Sequence, residues 1–580
     1  MDTKIRLHMK DWQFNMGLLG FYNVLRHADI DVKFQDDYIE FDEEELKKNL
    51  EGFEEKYFSY LIDKYGKLTH WQKLSDICRE LEMHKAQGYS NFKENGLKGL
   101  NDFITELKNH LKKDKKKDNY TKVYQFIKDG YELEYKAEEL EKVKRNKNQD
   151  IQDIIPELEK QIDIIKKIEG YVFSESGKKY LFAKCLIYNV IQNLWKRISF
   201  LNPKNKEADI YKAFKEYFTD KTLEYISENK SKYKLKCFAT GLPVKNLGSA
   251  YELSFLVDTG FDTARKLSNI WDYNNDIFIC DLARLIYICM PCGITYSTFK
   301  DAVFINANRD FENLKKVNEN IFMSIKRTAE DKDNPSLIKN FIAYKALIQA
   351  MQKETIELQP KYELLDIQVI RLNQIGGSSN MRYRFNILSK EVLELLSKHS
   401  KELDKLIPCG FIDGKTYIYI YPTVIDNIIN KTNLFNFIHL LLSRKLDVSL
   451  KNFYSDIHIY MLNIINSKFM EAEMEKENKL EHEKIVKDFK NSGYYLGEAY
   501  RDKNAENRIN GIAYRLLNAL KTRNAELFLH TILNCYMYIN KPVPKDMEKV
   551  LLSDVILAEI GYAFVTGLTG SILKEEKNTK

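Results

Sequence analysis

The sequence predicts an α+β fold that is predominantly α: a mixed α/β N-terminal region, a central cysteine module and a C-terminal helical bundle. Three observations lead to this prediction. Apolar residues recur at helical spacing through most of the 580 residues. Short alternating segments near the start and in the middle indicate strands. Only 10 Pro accompany 36 Tyr and 32 Phe, which is typical of long helices with aromatic packing. A chain of this length exceeds a single core, so several domains are expected.

The first predicted domain, residues 1–230, mixes strands and helices. Residues 5–9 read as a strand, and Asp11 is placed to cap the following helix. The alternation in residues 32–41 predicts a hairpin. One face of the first helix carries the apolar residues Phe14, Leu18, Phe21 and Leu25.

The second predicted domain, residues 231–300, is a degenerate zinc-finger-like cysteine module. Structural zinc requires four soft ligands in a tetrahedral array. The candidate ligands are Cys237, Cys280, Cys289 and Cys292. The last two form a true C-x-x-C, whereas Thr240 and Ala283 stand three positions after the first two, and neither is a normal zinc ligand. Buried free thiols are the alternative.

The third predicted domain, residues 301–460, is α+β with hairpins, one of them turning at Asp413-Gly414. A glycine-rich loop between two strand-like segments is a candidate nucleic-acid contact, because glycines permit close approach, an amide can pair with bases, and arginines bind phosphates. Its residues are Gly376, Gly377, Asn380, Arg382 and Arg384, the arginines on one strand face. A plain hairpin turn is the alternative.

The fourth predicted domain, residues 461–580, reads as a helical bundle with one basic segment. The whole chain has a net charge of +6, yet residues 487–545 contain ten Lys and Arg against five Asp and Glu. Arg508 and Arg515 lie seven positions apart, which predicts one helix face able to follow a phosphate backbone. The apolar residues 555–573 include Glu559 and three glycines, so a buried helix is expected rather than a membrane span.

The residue patterns of common enzymes are missing from the sequence. There is no GxxxxGK[ST] loop for ATP, no HExxH helix and no GxSxG elbow. The ten His are scattered, which argues against a metal-dependent nuclease. We therefore expect a protein that is not an enzyme; a nuclease with a dispersed active site is the alternative. Eight Cys without an apolar leader segment indicate a reducing cytoplasm.

Several segments resemble the large subunit of type I-B CRISPR Cascade, in the branch with two CxxC motifs. They are IRLHMKDWQFNMGLLGFYNVL at residues 5–25, ICDLARLIYICMPCGITYS at 279–297, SGYYLGEAYR at 492–501 and EIGYAFVTGLTG at 559–570. These segments are distributed from one end of the chain to the other. Their order, spacing and the total length are similar to those of the family.

The resemblance implies a non-catalytic subunit of an antiviral, RNA-guided surveillance complex. Such a subunit recognises a protospacer-adjacent motif in double-stranded DNA, stabilises the opened strands and helps recruit the helicase-nuclease. Its other partners would be the CRISPR RNA, the Cascade backbone and 5′-handle-binding subunits and a small subunit; no membrane is implied. A structural adaptor without nucleic-acid contacts is a further alternative.

The family pattern would place zinc ligands at positions 237, 240, 280 and 283. Here Cys237 and Cys280 remain, so either the zinc site has been lost or Cys289 and Cys292 replace the missing ligands. The C-terminal bundle resembles the Cascade small subunit. A separate small subunit could be translated from an internal start at Met470 or Met474.

Overall fold

The computed structural model is predominantly helical and divides into two compact units. It describes residues 4–112, 120–145, 149–150, 152–257, 278–330, 367–374, 381–388, 390–414, 416–473 and 482–570. Helices make up 65% of the structure, and several small antiparallel sheets accompany them. This confirms the predicted α+β class with mainly α structure. One unit comprises Met1–Asn318 with Val369–Phe385, and the other Glu319–Gln368 with Asn386–Lys580. The finer division into four domains stays a prediction.

The N-terminal segment of the first unit forms the predicted strand, helix and hairpin. Strand β1 (Lys4–His8) is followed by α1 (Trp12–His27), β2 (Lys33–Gln35) and β3 (Tyr38–Asp42), in the sheet order β1-β3-β2. The Asp11 carboxylate accepts hydrogen bonds from the backbone N–H groups of Gln13 and Phe14, so it is the N-cap of α1.

Helices then dominate the first unit up to the cysteine region. They are α2 (Glu43–Leu50), α3 (Phe53–Tyr65), α4 (His70–Ala86), α5 (Glu94–Leu111), α6 (Glu132–Glu139), α7 (Ile155–Phe173), α8 (Glu175–Gly177), α9 (Ala183–Asn189), α10 (Ile210–Phe214) and α11 (Asp220–Ser227). Two π-helical segments, Lys178–Phe182 and Lys215–Thr219, continue α8 into α9 and α10 into α11.

The cysteine region combines short strands with two helices. The elements are β4 (Leu235–Lys236), β5 (Pro243–Val244), β6 (Tyr251–Glu252), β7 (Phe278–Ile279), α12 (Asp281–Ile288) and α13 (Met290–Gly293). A sheet of order β11-β10-β9-β8 follows, made of β8 (Thr295–Thr298), β9 (Asp301–Asn306), β10 (Ile367–Gln374) and β11 (Met381–Leu388). Helix α14 spans Phe311–Glu330.

Glycines bring α1 very close to the end of the cysteine region. A Cβ on Gly20 would overlap the carbonyl oxygen of Cys289, and a Cβ on Gly293 would overlap that of Met16. Only glycine allows backbones to approach this closely. The opening segment of the chain and the cysteine segment therefore share one hydrophobic core.

The second unit contains a small three-stranded sheet and ends in the predicted helical bundle. Its elements are α15 (Lys390–Lys398), α16 (Ser400–Lys405), β12 (Gly410–Asp413), β13 (Thr416–Tyr419), α17 (Ile420–Ile429), α18 (Phe435–Leu446), β14 (Asn452–Phe453), α19 (Asp456–Glu473), α20 (His482–Asp502), α21 (Ile509–Lys521), α22 (Ala525–Ile539) and α23 (Asp554–Leu568).

The hairpin predicted at Asp413-Gly414 is present, with Asp413 paired to Thr416 across the turn. Gly414 has φ of 59°, the left-handed conformation that glycine adopts without strain. The strand that follows ends at Tyr419, because α17 already begins at Ile420. Pro422 fits its first turn, where a backbone N–H has no partner within the helix.

Helices α20 and α23 cross closely at the centre of the bundle. A Cβ on Gly493 would overlap the carbonyl oxygen of Phe564, and a Cβ on Gly567 would overlap that of Lys490. His482 Nδ1 and Glu559 Oε2 are 2.7 Å apart, and both side chains are only 2% exposed. The apolar segment around Glu559 is thus a buried helix of the bundle, as predicted. Among the helices described, none is long and apolar enough to cross a bilayer.

Candidate functional site

A tight turn after β4 presents Cys237 and Thr240 on the same side of the chain. The Cys237 N–H donates to the Leu242 carbonyl oxygen and the Gly241 N–H to the Cys237 carbonyl oxygen, both at 2.8 Å. Gly241 has φ of 69°, which favours glycine at this corner. The turn leads directly into β5, which pairs antiparallel with β4.

Cys280 lies directly opposite this turn. It follows β7 and is the N-cap residue of α12. The Phe238 N–H donates to the Phe278 carbonyl oxygen at 3.0 Å, and this bond joins the two segments. The Thr240 hydroxyl oxygen is 3.6 Å from the Cys280 sulfur. Residues 43 positions apart thereby meet in a buried cluster.

Hydrogen bonds lower the pKa of the Cys237 thiol to about 6. The bond from the Cys280 thiol lowers the pKa of Cys237 most, followed by the Thr240 hydroxyl and the backbone N–H groups of Cys280 and Thr240. Burial raises the pKa of Cys280, although the Ala283 N–H donates to its sulfur. N–H groups aimed at a cysteine sulfur stabilise a thiolate. Positions 237, 240, 280 and 283 therefore converge on one thiol pair.

Cys289 and Cys292 lie in a different place, inside the core. Both are 0% exposed, and burial raises the pKa of both thiols. The Cys292 carbonyl oxygen accepts hydrogen bonds from Tyr60 and Lys64, at 3.2 and 3.0 Å. Cys280 precedes α12 and Cys289 follows it, so the helix separates them by about 13 Å.

The four cysteines therefore form two pairs rather than one cluster. In the residues that the structure describes, no three His, Cys, Asp or Glu side chains are grouped as they would be around a metal ion. The expectation that Cys289 and Cys292 could complete a site with the first pair does not match this arrangement, because packing against α1 holds them in the core. Zinc binding by this chain stays a prediction.

A cavity of about 270 Å³ opens beside the thiol pair. Cys280 and Asp281 contribute to its wall together with the tyrosines 225, 233 and 251 and with Ser249. One carboxylate oxygen of Asp281, Oδ1, is buried without a hydrogen-bond partner. Burial raises the pKa of Asp281, because a carboxylate is poorly solvated there.

The predicted glycine-rich contact is described in part. Gly376, Gly377 and Asn380 lie outside the described residues. Arg382 and Arg384 lie on β11, which is the last strand of its sheet among those described, and both are exposed.

The two arginines share one face of β11, as predicted. Tyr383 and Phe385, which alternate with them along the strand, point the other way, with ring centroids 4.9 and 5.1 Å from that of Trp12. Packing on Trp12 therefore fixes which face the arginines present to solvent.

Arg508 and Arg515 are exposed in the bundle, but their arrangement differs from the prediction. Arg508 belongs to a 3-10 turn, Glu506–Arg508, and α21 begins only after it. The seven-residue spacing therefore does not lie within one helix. Both side chains nevertheless approach α22: the Arg508 guanidinium lies 4.9 Å from the ring centroid of Tyr538. Burial raises the pKa of Cys535, and the nearby charge of Arg515 opposes that rise.

Tyr538 and Lys503 complete this surface and were not predicted from the sequence. The Lys503 ammonium lies 5.1 Å from the Tyr538 ring centroid and donates to the Tyr538 carbonyl oxygen at 2.8 Å. Tyr538 is 38% exposed and Tyr514, next to Arg515, is 69% exposed. Aromatic rings between cations are the usual groups for stacking nucleic-acid bases. The apolar sequence around Tyr538 gave no sign of this role.

Comparison with known protein families, with curated proteins and with solved structures finds no match.

Proposed function

We propose that this chain is the non-catalytic large subunit of a type I-B CRISPR RNA-guided surveillance complex in the cytoplasm. In this role it recognises a protospacer-adjacent motif, stabilises the opened target DNA and helps recruit the helicase-nuclease. Its partners are the CRISPR RNA, double-stranded DNA, the backbone and 5′-handle-binding subunits and a small subunit.

The main support is the convergence of four positions at the thiol pair. The family resemblance implies ligands at positions 237, 240, 280 and 283. The Thr240 hydroxyl lies 3.6 Å from the Cys280 sulfur. Burial and Cys237 raise the pKa of Cys280, and the backbone N–H of Ala283 opposes that rise. Two turns built to aim N–H groups at sulfur are the usual frame of a zinc knuckle. A member of that branch that had lost two of its four ligands would still contain these turns.

Two exposed basic surfaces support a nucleic-acid role. The first is the arginine face of β11, formed by Arg382 and Arg384. The second is the arginine–tyrosine surface of the bundle, formed by Lys503, Arg508 and Tyr538. A charged strand face suits the backbone of duplex DNA, whereas cations beside exposed rings suit a displaced single strand.

Purification from the native host tests the proposal most directly. The full chain, tagged at one end, should co-purify with a CRISPR RNA and with the backbone and 5′-handle-binding proteins. Recovery of the chain alone, or with proteins unrelated to a CRISPR complex, would contradict the proposal. The untagged host strain is the control for proteins that adhere to the resin.

DNA binding by the assembled complex separates the alternatives. Guide-matched duplexes carrying a randomised flanking motif should be bound selectively, and cleaved only after the helicase-nuclease is added. Metal-dependent cleavage by the isolated chain would instead favour the nuclease alternative. Unchanged binding after replacing Arg382, Arg384, Arg508 and Arg515 with Ala together would show that these arginines are not the contacts.

A further inference from the structure

The cavity beside α11 is lined by side chains that the proposed nucleic-acid binding does not use. Its volume of about 270 Å³ is about nine times the ~30 Å³ that one water molecule takes up in the liquid, so a small organic group fits inside it. Its walls come from α11, from β5 and β6 and from the start of α12, all within the first unit. The chemistry of these walls indicates the class of ligand.

Three tyrosine rings form the aromatic part of the wall, those of Tyr225, Tyr233 and Tyr251. The face of an aromatic ring attracts cations. Two of these rings already contact a cation of the protein. The Arg284 guanidinium lies 3.9 Å from the ring centroid of Tyr251. The Lys230 ammonium lies 4.8 Å from that of Tyr225. In the described part of the chain, neither of these cations belongs to the cavity wall. The rings therefore suit a further positive charge.

Three carboxylates line the same cavity, those of Glu224, Glu228 and Asp281. Glu228 accepts a hydrogen bond from the Tyr233 hydroxyl at 2.6 Å, which holds it beside that ring. Asp281 Oδ1 is buried and, among the described residues, has no hydrogen-bond partner. A buried acceptor without a donor is costly, and an N–H group of a ligand would remove that cost. The ligand should therefore be a cation that donates hydrogen bonds.

Two lysines also line the cavity, but they lie toward solvent. The Lys221 ammonium is 2.8 Å from the Glu224 carboxylate, and these side chains are 49% and 63% exposed. Lys245 is exposed as well. Asp281 is the least exposed of the charged groups in the wall. Three carboxylates against two ammonium groups leave the wall with an excess of one negative charge.

We propose that this cavity binds a primary alkylammonium group, which donates to Asp281 Oδ1 and lies among the three tyrosine rings. A primary ammonium has three N–H donors, whereas a tetraalkylammonium has none and would leave the Asp281 oxygen without a partner. Both a free diamine and a lysine side chain of a partner protein supply this group. The inference does not depend on the proposed nucleic-acid role.

Isothermal titration calorimetry of the full chain tests this inference. Butane-1,4-diamine is the probe for a free amine, and Nα-acetyl-lysine amide is the probe for a lysine side chain. At least one of them should bind at one site per chain, about 10-fold or more tightly than its uncharged counterpart, butane-1,4-diol or Nα-acetyl-norleucine amide. The tighter of the two amines identifies the source. Failure of both amines to bind at up to about 10 mM, or equal affinity for the uncharged counterparts, would overturn the inference.

Variants locate the bound amine in the cavity. Asp281→Asn keeps the shape of the side chain but removes its charge, so affinity should fall by about 10-fold. Tyr233→Leu should weaken binding by about 2- to 5-fold, because one ring is lost. Glu252→Gln is the matched control, since Glu252 follows Tyr251 on β6 and is exposed, and it should leave the affinity unchanged. Thermal unfolding checks that each variant is folded. A folded Asp281→Asn or Tyr233→Leu protein with the affinity of the control would place the amine elsewhere and refute the proposal.

Discussion

Restoring two cysteines should turn the thiol pair into a zinc site. Thr240 and Ala283 occupy the positions where the proposed family would have its other two ligands, and the Thr240 hydroxyl lies 3.6 Å from the Cys280 sulfur. If the proposal is correct, the two turns at Cys237 and Cys280 can hold the metal once both ligands are added. We expect Thr240→Cys with Ala283→Cys to bind one zinc ion per chain.

The expected rise in Tm depends on the size of the unit that zinc binding would stabilise. Structural zinc binds zinc-finger peptides with about 10–16 kcal/mol at neutral pH. Free zinc at about 1,000 times its Kd stabilises the folded form by about 4.1 kcal/mol. The first unit has about 335 residues. At ~2.1 cal/mol/K of unfolding entropy per residue, Tm should rise by about 6 °C.

Metal analysis and thermal unfolding measure this outcome. The double variant should retain zinc through gel filtration, and its visible spectrum with Co²⁺ should indicate tetrahedral thiolate ligands. Ala239→Cys with Ala283→Cys is the matched control. It also adds two thiols, but one of them stands at position 239 instead of 240. Equal zinc content in both proteins would refute the convergence of positions 237, 240, 280 and 283.

Three further predictions concern the bundle. Gly567→Ala should lower the free energy of unfolding by about 1–3 kcal/mol, because two backbones would have to separate. Gly511 has open space around it, so Gly511→Ala should raise the free energy of unfolding by about 0.5–1 kcal/mol. The midpoints of urea unfolding curves measure both effects. His482→Ala should destabilise by about 3–5 kcal/mol, because it leaves Glu559 buried and unpaired. The hydrogen bond to Glu559 raises the pKa of His482. The stability that His482 contributes should therefore be complete below about pH 6.5 and fall as pH rises through its folded pKa. A series of denaturation curves from about pH 6 to 9 without such a fall would contradict this contribution of His482. Arg508→Ala should weaken binding of single-stranded DNA by the assembled complex and reduce the slope of log K against log salt by about 0.7, and an unchanged slope would remove it from the contacts.

Much of the fold could be predicted because local signals agreed with the tertiary structure. Asp11 caps α1 as its position indicated, since a cap needs only the adjacent N–H groups. The burial of Glu559 also followed from sequence, because a lone acid among apolar residues and glycines fits a bundle core better than a bilayer. Periodicity and capping are local properties, which a sequence displays directly.

The candidate site was less predictable because it depends on distant contacts. Nothing in the sequence indicates that the turn at Cys237 meets Cys280 while Cys289 packs into the core against α1. The interpretation of Arg508 and Arg515 as one helix face assumed an uninterrupted helix, and the 3-10 turn at Glu506–Arg508 intervenes. The contact of Arg508 with the Tyr538 ring depends on how two helices pack against each other. The spacing of residues along one helix does not predict that packing.

The close crossing of α20 and α23 bears on a protein translated from Met470. Such a product would contain α20–α23 and so both halves of the glycine crossing, but it would lack α18 and nearly all of α19. Those helices cover α23 in the full chain: Asn463 donates to the Thr566 hydroxyl at 3.2 Å, and Phe435 stacks on Tyr562. The shorter protein would therefore carry a newly uncovered apolar surface. It would be stable only when another subunit, or another copy of itself, occupied the place of the missing helices.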